Sequence, residues 1–182
     1  MEVSSLKIEE AFYHKIMLMA GLDDGYDDWL NYYLEFENPL NNIVLELAYC
    51  GSDINNTIAL LHSFCMEQPF SEWVVRDKVR AYFKDAYYTN KMNKEEISCA
   101  MYRLAFSVAD FGELDIHLWA DMYYMDYYYS LAQDGIISWE NFDFAFFSYL
   151  DNGIPVDYDR IWNRKQKEKI LFTDKIKRML KR

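Results

Sequence analysis

Three histidines are the residues of this chain best suited to binding a metal or transferring protons. His14, His62 and His117 form no two-histidine pair on one helix, and no HExxH motif is present. His117 and Asp121 are one helical turn apart and could supply two metal ligands, but such a pair more often makes a surface hydrogen bond. We therefore expect no metal site and no cofactor.

The segment from Ser130 to Asn141 has some features of a calcium-binding loop. Gly135 and Ile137 occupy the positions of the invariant glycine and of the hydrophobic residue that follows it. However, Ala132 and Asn141 stand where the loop needs an acidic ligand and a bidentate glutamate. We interpret Gly135 instead as the residue that ends a helix.

Motifs typical of other enzymes are also missing from the sequence. The six glycines stand singly, so there is no glycine-rich phosphate loop, and no GxSxG nucleophile motif occurs. The three cysteines have spacings that fit no metal motif, and we expect buried, reduced thiols. The sequence thus favours a protein that is not an enzyme.

Composition limits both the fold and the partners of the 182-residue chain. Hydrophobic residues make up 52% and aromatic residues 18%, which excludes a disordered acidic chain. The net charge of −11 argues against nucleic acid and against an anionic membrane as ligands. The start of the chain has no basic segment followed by an apolar run, so we expect no signal peptide and a cytoplasmic location.

Apolar residues recur at helical spacing along most of the chain and predict an all-α domain spanning residues 1–182. We expect eight or nine helices in a bundle or in stacked hairpins. The eighth pattern also alternates at Phe142, Phe144 and Phe146, as a strand would, but Ser138 and Gly153 suit the start and end of a helix. Predicted helix patterns begin near Ile8, Tyr26, Leu40, Ile54, Val75, Ile97, Leu114, Trp139 and Asp157.

Charge is unevenly distributed between an acidic body and a basic end. Residues 1–156 contain 9 Lys and Arg against 26 Asp and Glu, whereas residues 157–182 contain 10 against 4. We expect a long amphipathic helix at 157–182, which either packs on the acidic body, contacts the partner or lies on a membrane surface. Two stretches, 16–75 and 104–159, lack any Lys or Arg. Such segregation predicts an acidic face that attracts a basic partner.

One group of cations interrupts the acidic body. Arg76, Arg80 and Lys84 share one side of the fifth predicted helix, and Glu72 lies four residues before Arg76. Pairing within the helix is the simplest interpretation of this stripe, with a phosphate site as the less favoured alternative.

Tyrosine and aspartate together are typical of a protein-binding surface, because rigid aromatic area lies beside charge. The chain has 16 tyrosines, several of them consecutive, and a helix cannot bury consecutive residues on one narrow stripe. Some of these side chains therefore face water or a partner. The predicted partner-binding residues are Asp23, Asp24, Asp27, Asp28, Asp115, Asp121, Tyr124, Asp126, Tyr128 and Tyr129.

In these respects the chain resembles the immunity proteins of bacterial toxin systems, including contact-dependent growth inhibition and colicin-type nucleases. The resemblance depends on the Asp23–Asp28 cluster and on the Asp115–Tyr129 segment. It implies tight binding to a cognate toxin, often a basic nuclease, whose active site or substrate surface is blocked. A helical adaptor that binds a peptide or partner helix in an aromatic groove is the alternative function.

Overall fold

The computed structural model describes residues 6–22, 25–37, 39–66, 69–109 and 116–154, and every regular element among them is an α-helix. The predicted all-α fold is therefore confirmed. The predicted basic helix at 157–182 lies outside the described residues. The eight helices are α1 (Ile8–Met19), α2 (Tyr26–Phe36), α3 (Asn42–Cys50), α4 (Ile54–Cys65), α5 (Glu72–Tyr88), α6 (Lys94–Ala109), α7 (Ile116–Gln133) and α8 (Trp139–Asn152).

Short polar side chains begin several of these helices by accepting a backbone N–H of the first turn. Asp53 accepts from Asn56 at the start of α4, and Ser138 accepts from Asn141 at the start of α8. Before α6, Asn93 and Glu96 form a reciprocal capping box, in which each side chain accepts the backbone N–H of the other residue at 3.0 and 2.8 Å.

Gly135 ends α7 in the manner that the sequence predicts. Its φ angle is +67°, a left-handed conformation that glycine adopts without steric cost. The N–H of Ile136 donates to the carbonyl of Leu131, and the N–H of Gly135 donates to that of Ala132. This pair of bonds is a Schellman motif, so the glycine has a structural role.

Helix α1 occupies the centre of the bundle. Eight consecutive residues, from Ala11 to Leu18, are buried, and α1 packs against α4, α5 and α6. Only a helix surrounded by others can bury all of its sides. The described helices share one hydrophobic core.

The remaining helices pack in pairs around this centre. Helices α6 and α7 form a closely packed hairpin, α7 also packs against α8, and α8 packs against α5. The hairpin is antiparallel, because Tyr102 contacts Tyr123 while Glu95 contacts Tyr129. At the other side of α1, α2 packs on α3 and α3 on α4.

Two sequence expectations need adjustment. The strand alternative for the eighth segment is wrong, because Phe142 and Phe146 are buried one helical turn apart while Phe144 is exposed. The cysteines are free, but only Cys65 is buried, where burial raises its thiol pKa to about 12. Cys50 is half-buried, and Cys99 is exposed because it lies on the outer side of α6.

Candidate protein-binding surface

The outer side of the α6–α7 hairpin carries an exposed group of aromatic side chains, here called the tyrosine face. It consists of Tyr102 and Phe106 on α6 with Tyr123 and Tyr127 on α7, which are 37%, 55%, 42% and 50% exposed. The rings of Tyr102 and Tyr123 lie 5.2 Å apart, and those of Tyr102 and Phe106 lie 6.3 Å apart. The rings of Tyr102, Phe106 and Tyr123 therefore form one connected surface across two helices, and Tyr127 lies one turn after Tyr123 on α7.

Carboxylates lie beside the tyrosine face on both helices. Glu95 of α6 accepts a hydrogen bond of 3.1 Å from the hydroxyl of Tyr129 on α7. Partial burial and this bond to Glu95 both raise the pKa of Tyr129. Asp126 is half-buried and lies one turn after Tyr123 on α7. The predicted residue Asp126 is thus one turn from an exposed ring, whereas the ring of the predicted Tyr129 packs against aromatic side chains of α8.

The structure divides the predicted stripe of Asp121, Tyr124 and Tyr128 on α7. Tyr124 is 41% exposed and meets Tyr123 edge to face at 5.2 Å. Asp121 and Tyr128, by contrast, are only 7% and 2% exposed. Because α7 lies between α6 and α8, it buries a broader side than a surface helix would. The prediction that these two residues form part of an accessible surface is therefore wrong.

Burial also changes the chemistry of Tyr128. Its pKa is raised, first by desolvation and then by the nearby charge of Asp121. A phenol in this setting stays protonated at neutral pH and contributes to the interior of the bundle.

The acidic cluster before and within α2 is only partly described. Asp27 and Asp28 are exposed and lie in the first turn of α2, whose cap residue Gly25 offers no side chain. Carboxylates at this position stabilise a helix by interacting with its dipole. Among the described helices, α2 packs mainly on α3, which is not part of the tyrosine face. Asp23, Asp24, Asp115 and the side chain of His117 lie outside the described residues.

The basic stripe on α5 has a structural explanation. Arg80 donates to the carbonyl of Leu150 at 3.1 Å, and the ammonium of Lys84 lies 3.1 Å from the carboxylate of Asp151. Arg76 is buried, and its guanidinium lies 4.3 Å above the ring of Trp73. Pairing within α5 accounts for part of the stripe, because Asp77 lies 3.9 Å from Arg76 and 3.6 Å from Arg80, while Arg80 and Lys84 also reach the end of α8.

The predicted partner of Arg76 makes a longer-range contact as well. Glu72 accepts a hydrogen bond of 3.2 Å from the indole N–H of Trp119 on α7. Sequence reasoning considered only the neighbours on α5, whereas the fold brings α7 beside the start of that helix.

The described parts of the chain contain neither a metal-binding cluster nor a membrane-spanning helix. There, no three His, Cys, Asp or Glu side chains come together in a way that could hold a metal ion. Within the same residues, no helix combines the length and the hydropathy needed to cross a bilayer.

Comparison with known proteins identifies no relative of this chain. No family model matches the chain, and no curated protein or solved structure is significantly similar to it. A function for this chain can therefore be inferred only from its own surface.

Sequence reasoning missed all four residues of the tyrosine face. Tyr102, Phe106, Tyr123 and Tyr127 were not among the predicted partner-binding residues. The sequence contains one signal that could have indicated this face. The two helices that pair as α6 and α7 both have large aromatic residues in addition to those needed for their buried sides.

Proposed function

We propose that the protein is an immunity protein that binds and neutralises a basic bacterial toxin, with the tyrosine face as the central contact. The single observation that supports this function most strongly is the exposed aromatic surface of α6 and α7, in which the ring of Tyr102 contacts those of Phe106 and Tyr123. Exposed aromatic groups of this size commonly mark protein-binding sites.

The position of the tyrosine face on two packed helices favours tight binding. Helices α6 and α7 are held against each other and against α1 and α8, so the rings are displayed on a rigid frame. Tyrosine has few rotatable bonds and loses little entropy when a partner covers it. Affinity gained in this way slows dissociation.

Charge supports a basic partner. The described residues include 19 Asp and Glu against nine Lys and Arg. On the hairpin, Asp126 lies one turn after Tyr123, and Glu95 lies two turns before Tyr102 on the same side of α6. Negative potential of this kind accelerates encounter with a positive surface.

A nuclease is the toxin class that these features fit best. Surfaces that bind the phosphates of nucleic acid are positively charged. An acidic, tyrosine-rich protein that covers such a surface excludes the substrate without performing chemistry. The proposed activity therefore requires neither a cofactor nor a catalytic residue of this chain.

Binding kinetics with the product of the neighbouring gene, which we expect to contain a basic, toxin-like domain, would test the proposal. We expect the double variant Tyr102→Ser/Tyr123→Ser to dissociate at least about tenfold faster than the unchanged protein. Tyr49→Ser is the matched control, because Tyr49 is 89% exposed on α3, outside the tyrosine face. Added salt should slow association of all three proteins.

Equal dissociation rates for the double variant and the control would contradict the role of the tyrosine face. Association that is independent of salt would contradict the electrostatic part of the proposal. Failure of the unchanged protein to bind or inhibit the adjacent domain would contradict the immunity function.

A helical adaptor is the second candidate, and one observation favours it. A recess of about 420 Å³, where α1, α2, α3 and α4 meet, is lined by Leu18, Leu30, Leu47 and Ile54. The substitution Ile54→Glu should abolish binding of a partner helix in this recess, because half of the Ile54 side chain is exposed. The same partner should tolerate the double substitution on the tyrosine face, which distinguishes the two functions.

A further inference from the structure

A second recess lies between α1, α2 and α5, away from the tyrosine face. It has a volume of about 540 Å³ and opens to solvent. Aromatic side chains and three charged groups share its lining, which includes Lys7, Glu10, Tyr13, Trp29, Tyr32 and Lys78. Ligand-binding clefts in proteins commonly have this volume and this mixture of aromatic and polar groups.

The aromatic wall of the recess is held in place by Glu10. The Oε2 atom of Glu10 accepts hydrogen bonds from the indole N–H of Trp29 at 3.2 Å and from the hydroxyl of Tyr33 at 2.9 Å. The ring of Trp29 also stacks on the buried imidazole of His14, with centroids 4.5 Å apart. The wall is therefore formed before any ligand binds.

These contacts also compensate the negative charge of Glu10. Two donors converge on one oxygen, and both come from the neighbouring helix α2. Burial and the bond to Glu10 raise the pKa of Tyr33, so its hydroxyl stays a donor at neutral pH. Glu10 thus acts as the acceptor that positions Trp29 and Tyr33.

The positive groups of the recess are only partly compensated. Among the described residues, neither Lys7 nor Lys78 forms an ion pair, whereas Lys84 and Lys94 pair with Asp151 and Asp143. The ammonium of Lys78 lies 4.4 Å above the ring of Tyr13. Its pKa is lowered, chiefly by burial, while the negative charge of Glu10 acts in the opposite direction and the positive charge of Lys7 adds to the lowering.

We propose that this recess binds a small organic anion that carries a flat ring. The ring would pack against Trp29 and Tyr32, and the anionic group would face Lys78 and Lys7. With two lysines and one glutamate in its lining, the recess has a net positive charge in a chain whose net charge is −11. A carboxylate or a phosphate ester would satisfy the same two lysines. The proposal is independent of toxin binding, because none of these residues lies on the tyrosine face.

The side-chain N–H signal of Trp29 in two-dimensional NMR is a direct reporter, because that group lies in the wall of the recess. Indole-3-acetate and adenosine monophosphate are the two anionic probes, and they distinguish a carboxylate ligand from a phosphate ligand. Tryptamine carries a flat ring with a positive charge, and cyclohexaneacetate carries the anion without a flat ring. We expect at least one anionic flat-ring probe to shift the Trp29 signal saturably, and the other two compounds to bind about tenfold more weakly.

Two lysine variants test the electrostatic part. Lys78→Met should lower the affinity for the best anionic probe about tenfold, which is the usual effect of losing one charge-assisted hydrogen bond. Lys91→Met is the matched control, since Lys91 is exposed outside the recess, near Tyr82, and its loss should leave affinity unchanged.

Any of three results would overturn the proposal. These are an unchanged Trp29 signal with both anionic flat-ring probes at millimolar concentration, equal binding of tryptamine, and equal affinity of the Lys78→Met protein. The first two use the unchanged protein and do not depend on the folding of a variant.

Discussion

Arg80 of α5 reaches the end of α8, where its Nη1 atom donates a 3.1 Å hydrogen bond to the carbonyl oxygen of Leu150. Carbonyl groups in the last turn of a helix lack intrahelical partners, and cations nearby also interact favourably with the helix dipole. Lys84 and the hydroxyl of Tyr88 add contacts to Asp151 in the same turn. Three side chains of α5 therefore fix the end of α8.

Gly153→Ala tests how closely the two helices approach. Gly153 has a φ angle of +64°, and an added Cβ would lie 3.3 Å from Nε of Arg80. We expect the free energy of unfolding to fall by about 2 kcal/mol, from backbone strain together with displacement of Arg80. Urea denaturation measures this loss.

Gly135→Ala is the control for that measurement. Gly135 has a φ angle of +67°, but a Cβ there would meet no atom within 4 Å. The free energy of unfolding of the Gly135→Ala protein should fall by about 1 kcal/mol, from backbone strain alone. Equal losses for both variants would show that Arg80 moves aside without cost.

Asn93→Ala should destabilise the protein by removing half of the capping box before α6. The variant leaves the N–H of Glu96 without its side-chain acceptor, and we expect a loss of about 1 kcal/mol. Asn31→Ala, on the exposed side of α2, should change stability by less than about 0.5 kcal/mol. A loss at Asn31 as large as that at Asn93 would contradict a specific capping effect.

His14 makes stability depend on pH in a defined window. Burial, followed by the charge of Lys78, lowers the pKa of His14 to about 3. The unfolded chain binds a proton at this site below about pH 6.5, whereas the folded chain does not. The contribution of His14 to folding is therefore lost progressively as the pH falls from 6.5 towards 3, by up to about 1.4 kcal/mol per unit.

The imidazole carbon signals in NMR measure this directly. His14 should remain neutral at pH 4.5, whereas His62, which is exposed on α4, should gain its proton at a higher pH than His14. Protonation of His14 near pH 6 in the folded protein would contradict the effect of burial.

Glu10→Ala should loosen the wall of the α1–α2 recess. The variant removes the acceptor of both Trp29 and Tyr33, and a loss of about 1–3 kcal/mol is expected in urea denaturation. Hydrogen exchange of the Trp29 side-chain N–H should also accelerate. Glu35→Ala, an exposed position on α2, should have little effect on either measurement, and a similar effect would contradict a special role for Glu10.

Helix positions were predictable because local signals determine them. Helix α4 begins at Ile54 after the cap Asp53, and α8 ends before Gly153, as their sequence patterns indicate. The third helix was expected from Leu40 but begins at Asn42, because Asn41 supplies the cap. A cap decided this boundary more strongly than apolar spacing did.

The candidate surface was less predictable because exposure depends on which helices pack together. Asp121 and Tyr128 look like surface residues by type, yet the placement of α7 between α6 and α8 buries them. For the same reason, Arg80 contacts Leu150, which is 70 residues further along the chain. Helical spacing identifies the members of a stripe, but it does not identify the element that the stripe contacts.

The central position of α1 has a consequence for biosynthesis. Ribosomes produce α1 first, but its packing partners α4, α5 and α6 end only at Ala109. During translation, the apolar surface around Phe12 and Ile16 therefore stays exposed until about 90 further residues have been synthesised, which takes several seconds at normal elongation rates. The nascent N-terminal helix is thus a natural substrate for chaperones that bind emerging chains.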